Sequence, residues 1–137
     1  MDQRCQFLNF GIGNEKSLLC TTIAIILKTV NPNTVIILNK NEYLNYRDYS
    51  KFKDCIEECN LLPSYLKFEP NSIVYADERS FKVLKKESQK DTNPHKSILI
   101  IDEYDQYFFD SKSSKSMLNS LMDVNLFSMI IGISGTT

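Results

Sequence analysis

The run Ser97-Ile98-Leu99-Ile100-Ile101-Asp102-Glu103-Tyr104-Asp105 constrains the fold more than any other stretch of this chain. A segment that is apolar at successive positions buries both of its faces, as a central strand of a parallel sheet does. Its three acids within four residues must then emerge at the rim of that sheet. Rims at the carboxyl ends of strands are where open α/β sheets bind ligands. Carboxylates placed there can hold the water shell of a magnesium ion and orient a water toward a phosphate. The plain alternative is an acidic loop behind a core strand.

The chain has 137 residues, enough for one domain with a real core and too few for two. With 42% hydrophobic and 24% charged residues, it falls among globular domains and away from disordered chains. Residues 18–27 form the longest nearly apolar stretch, too short to span a bilayer, so no integral membrane segment is expected. The N-terminus lacks the basic and apolar regions of a secretory signal, which makes a cytoplasmic location the default, with peripheral membrane association left open. A net charge of −1 supplies no global field for nucleic acid. Lys82, Lys85, Lys86 and Lys90 are interleaved with Glu87 and Asp91, as on a solvated helix face. The four cysteines, Cys5, Cys20, Cys55 and Cys59, show no CxxC spacing, so packed, reduced thiols are expected rather than a metal site.

Along the chain, residues 5–10 read as a first strand, 11–14 as a Gly-containing turn and 15–30 as a helix. The branched residues of 34–38 predict a second strand. Residues 41–60 read as a helix with Phe52, Ile56 and Cys59 at core spacing, a bend near Arg47 and Asp48, and a stop at Leu61-Leu62-Pro63. Short strands at 65–68 and 72–75 precede a helix over 79–87 that turns Phe81 and Leu84 inward, and then a loop over 88–96. A helical stripe over Met117, Leu118, Leu121 and Met122 and a last strand at 127–133 complete the pattern. Alternating strands and helices predict a three-layer α/β domain with a mostly parallel sheet.

Lys16-Ser17 at a helix start, after a strand and a Gly-containing turn, suggests a phosphate cradle of the P-loop NTPase kind. Free helix N–H groups favour anions, the lysine can reach β- and γ-phosphates, and the serine hydroxyl can ligate magnesium. The strict GxxxxGK[ST] pattern would need glycine where this chain has Phe10 and Glu15. Glu15 puts a Cβ and a negative charge where backbone N–H groups should approach phosphate oxygens. The acids after the 97–101 strand have the layout of the matching Walker B element.

Taken in order, five segments resemble the first nucleotide-binding domain of the SecA-type preprotein translocase ATPases, relatives of the DEAD-box helicases. Ile12-Gly13-Asn14-Glu15-Lys16-Ser17 resembles the T-G-E-G-K-T phosphate loop, and Asn41-Glu42-Tyr43-Leu44-Asn45-Tyr46-Arg47-Asp48 the N-D-Y-L-x-x-R-D motif. Ile73-Val74-Tyr75-Ala76-Asp77 is similar to I-x-Y-G-T, Asp102-Glu103-Tyr104-Asp105-Gln106 to D-E-V-D-S, and Gly132-Ile133-Ser134-Gly135-Thr136-Thr137 to G-x-T-G-T-A. The resemblance implies a RecA-like fold over residues 1–137 with ATP and Mg2+ as cofactors. It implies that Gly13, Asn14, Glu15, Lys16 and Ser17 hold phosphate, that Ser17 and Asp102 arrange magnesium, and that Glu103 handles the attacking water. Asp105, Ser134 and Thr136, together with Arg47 and Asp48, would couple the site to a second nucleotide-binding domain in cis or in trans. For Arg47 and Asp48 a structural ion pair is the alternative.

The chain departs from the family in two ways. The 106–132 interval is too short for a preprotein-binding insertion, and the 137 residues stop at the last motif, so arginines for a γ-phosphate are expected from a second domain, and without it hydrolysis should be slow or absent. The expected function is an ATP-binding motor domain of the SecA-like kind, associated with protein transport or remodelling and acting on a polypeptide or another polymer, with nucleotide binding expected ahead of hydrolysis. Its alternatives are a degenerate domain kept for protein interaction and a DEAD-box-like RNA helicase domain.

Overall fold

The computed structural model describes residues 5–9, 16–90, 96–103 and 127–134. Six strands, β1 (Cys5–Asn9), β2 (Val35–Asn39), β3 (Leu62–Tyr65), β4 (Ser72–Ala76), β5 (Ser97–Asp102) and β6 (Phe127–Ser134), form one sheet in the order β1-β6-β5-β2-β4-β3. Every neighbouring pair is parallel. The helices are α1 (Lys16–Val30), α2 (Glu42–Glu58) and α3 (Glu78–Lys90).

The central strands β2, β4 and β5 are buried at every position, which is why their sequences are runs of Ile, Val and Leu without alternation. Val35, Ile37, Ile73, Tyr75, Ile98 and Ile100 pack with Cys20 and Ala24 of α1 and with Phe52 and Ile56 of α2. The intervening residues Ile36, Leu38, Val74, Ala76, Leu99 and Ile101 pack on the other face with Phe81 and Leu84 of α3. Two helices on one side and one on the other make the three-layer, RecA-like α/β architecture. Phe127 and Ile130 lie in the same layer despite a spacing of three, because the β5–β6 register shifts at Ser97/Ile98, as a bulge does.

Several boundaries differ from expectation. β3 is Leu62–Tyr65 rather than 65–68, so the segment read as a helix stop is itself a strand. Pro63 is tolerated there because β3 is the edge of the described sheet, and Leu66, at φ 63°, ends the strand. α2 runs continuously through Arg47 and Asp48 without the expected bend; Asn45, Asp48, Phe52 and Ile56 form its buried face. Cys59 does not join that face: it is the helix C-cap, and both it and Cys55 are exposed, whereas Cys20 is packed as expected. α3 extends to Lys90, into the segment read as a loop, with Lys82 and Lys86 exposed. It is opened by reciprocal bonds in which Ser80 N–H donates to the Asp77 carboxylate and Asp77 N–H to the Ser80 hydroxyl, a capping box.

The turn at 11–14 and the stripe at 117–122 lie outside the described residues. Among the described residues, no helix is long and apolar enough to cross a membrane.

Candidate functional site

Parallel strands leave their carboxyl ends on one rim, and there the candidate residues meet. β5 ends on Asp102, in register with Asn39 at the end of β2 and with Ile133 near the end of β6. α1 begins at Lys16 with no acid in its described first turn. The leading N–H groups of such a helix have no intrahelical acceptor and carry the positive end of its dipole, so they favour an anion. Between these ends lies an open pocket of about 450 Å³, with Lys16, Ser17, Asn39, Arg47, Asp102 and Glu103 in its wall. That volume is in the range of small-molecule sites.

Lys16 is only 6% exposed. Its ammonium pairs with Oε1 of Glu103 and stands 4.0 Å from Oδ1 of Asp102. A buried cation needs such partners, so an incoming anion must compete with Glu103 for it. Glu103 itself sits at φ 60°, the left-handed region that a residue with a Cβ enters at a cost. Its N–H donates to the Ile133 carbonyl at 2.8 Å, which pins the turn after β5 to β6. The cost can be read by comparing two variants that both lack the carboxylate. Glu103→Gly should resist urea better than Glu103→Ala by about 1 kcal/mol, because only glycine occupies that backbone region freely; equal midpoints would refute the strain.

Asp102 is 4% exposed, and burial pushes its carboxyl up to about 6. Lys16 opposes that rise and Asp48 adds to it, with Arg47 and a hydrogen bond from Asn39 also lowering the value. The two carboxylate oxygens differ. Oδ2 accepts from the Asn39 amide at 3.1 Å, whereas Oδ1 is buried with no hydrogen-bond partner among the described residues. A desolvated oxygen with a spare lone pair is a costly feature in a structural acid and a fitting one in an acid that holds a cation. Among the described residues, no three His, Cys, Asp or Glu side chains gather to hold a metal by themselves. A cation here would take its remaining oxygens from phosphate and water, as magnesium does.

The other candidates divide. Arg47 Nη2 lies 3.4 Å from the Ser17 hydroxyl and 3.1 Å from Oδ1 of Asp48. The geometry therefore holds both the structural ion pair and a guanidinium in the pocket wall. Asp48 is buried on α2; with Asp102 it helps push the Cys20 thiol up, after burial as the main cause. Ser134 ends β6 beside Asn9, on the same rim. Gly13, Asn14, Glu15, Asp105 and Thr136 lie outside the described residues.

Sequence reasoning missed Asn39, which is 5% exposed and bonded to Asp102. The signal was present: a polar residue directly after four buried apolar positions stands at the same rim as the acids. No protein-family model matches this chain and no curated protein matches it, so what it binds rests on this geometry.

Proposed function

We propose that the domain binds a magnesium nucleotide, ATP, at this rim. The observation that carries the reading is the convergence of a buried helix-start lysine with the acids that end β5. Lys16 supplies a positive charge to β- and γ-phosphates, and the leading N–H groups of α1 add donors. Arg47 offers a second cation from α2, and Ser17 and Asp102 are the groups that would hold magnesium. The ion, when bound, neutralises charge on the phosphates. Glu103 would accept a proton from a water or orient it, once Lys16 turns from it to phosphate. The SecA-like order of motifs supports the further reading of a motor domain, located in the cytoplasm, that works with a second nucleotide-binding domain on a polypeptide.

Mg-ATP at 100 times its dissociation constant should stabilise the protein by about 2.7 kcal/mol, read as a rise in melting temperature. No shift at millimolar Mg-ATP overturns the proposal. A second reading, a domain that has kept the fold for protein interaction, is favoured by Glu15 in the phosphate loop and by the engagement of Lys16 with Glu103. Glu15→Gly separates the two: tight ATP binding that appears only in the variant marks the parent as degenerate, and equal affinity in both counts against that.

A further inference from the structure

The Asn39 side chain bridges two elements. Its Oδ1 accepts the N–H of Asn41 at 2.9 Å, and its Nδ2 donates to Oδ2 of Asp102 at 3.1 Å. Chemistry fixes this orientation. A backbone N–H can only donate, so the amide oxygen must face Asn41 and the NH2 must face the carboxylate. Asn41 is in turn the N-cap of α2, its own side chain accepting the Leu44 N–H at 3.1 Å. One amide therefore ties the acid that ends β5 to the start of the helix that brings Leu44, Arg47 and Lys51 to the pocket. The two strand ends involved are adjacent in the sheet, Asn39 lying in register with Asp102, so the bridge is anchored in the rim.

Resting on the magnesium-nucleotide reading above, we propose that Asn39 is a positioning residue: it fastens one oxygen of Asp102 to the fold so that the other is presented to the nucleotide's divalent cation. The orphaned Oδ1 supports this. Were Asp102 merely a core polar group, both oxygens should have found donors, since buried acceptors are nearly always satisfied. Here the amide takes only Oδ2, and the ammonium of Lys16 stays 4.0 Å from Oδ1, beyond hydrogen-bond length. Removing a partner that orients a metal ligand typically weakens metal binding about 10- to 100-fold.

The test measures Mn2+ binding to the ATP-saturated protein by electron paramagnetic resonance, which reads the cation directly and not turnover. Asn39→Leu keeps the approximate shape and removes both hydrogen bonds. Asn39→Ser keeps an oxygen that can accept the Asn41 N–H, as Ser does in turns, but is too short to reach Asp102, and so guards against a folding failure. Both should weaken Mn2+ binding about 10- to 100-fold. In an Asp102→Asn background, neither should weaken it further, because the effect passes through Asp102. Losses that add in the double variants, or unchanged Mn2+ affinity in both single ones, overturn the positioning role while leaving the nucleotide reading intact. Failure of the ATP-saturated parent to bind Mn2+ overturns both.

Discussion

Lys16→Ala is expected to lower the stability of the ligand-free protein at pH 7 by about 3 kcal/mol, the lower end for breaking a buried ion pair from one side. The lower end applies because Glu103 is partly exposed and can be rehydrated, whereas Asp102 cannot. The deficit should shrink toward pH 5, because the orphaned Asp102 can then take up a proton and remove its own charge. Urea denaturation at the two pH values reads both effects. A variant as stable as its parent at pH 7 would mean that the ammonium does not stabilise the acids at all. The same variant should lose the Mg-ATP shift entirely, since its remaining donors are helix N–H groups and the half-exposed Arg47. A retained shift would place the nucleotide elsewhere on the molecule.

Asp102→Asn should change the pH dependence of stability by nearly as much. The Asp102 carboxyl is raised from 3.8 to about 6 in the fold, chiefly by burial. The folded state therefore holds this proton more tightly than the unfolded chain does. As pH rises from about 4 to about 6, the unfolded chain loses the proton first, and stability falls by about 3 kcal/mol before levelling off. The asparagine variant has no proton to lose. Above pH 6 it should exceed the parent in stability, and below pH 4 the advantage should vanish. Superimposable pH profiles for the two proteins would refute the buried charge. Magnesium held by Asp102 as proposed would run the other way: it would need the carboxylate, so the metal-dependent part of any nucleotide shift should fade as the pH is lowered.

Residues buried on both faces announced themselves. The runs at Val35–Asn39 and Ser97–Asp102 admit no other reading, and the acids and lysine at their rim were nameable because each terminates such a run or opens a helix. Leu62-Pro63 was misread because proline argues against a strand unless that strand is an edge, and edge position is a property of the assembled sheet. The absent bend in α2 has a similar cause. Arg47 and Asp48 look like a break in an apolar pattern, yet Asp48 is itself part of the buried face, neutralised by its neighbour. Two features of the site were beyond local pattern altogether. The left-handed turn at Glu103 depends on a carbonyl of β6, and the role of Asn39 depends on an acid 63 positions away.

The sheet order also dictates when β1 can find its place. In the described sheet, β1 pairs only with β6, and β6 lies between it and β5. β1 must therefore wait, during synthesis, for more than a hundred residues to leave the ribosome before its docking place exists. Pairings between such distant segments carry the largest loop-closure cost and form late. Docking of β1 should thus be a late step of folding, whereas α1 packs directly on β2 and β5, so Lys16 and Asp102 can meet before the sheet is complete.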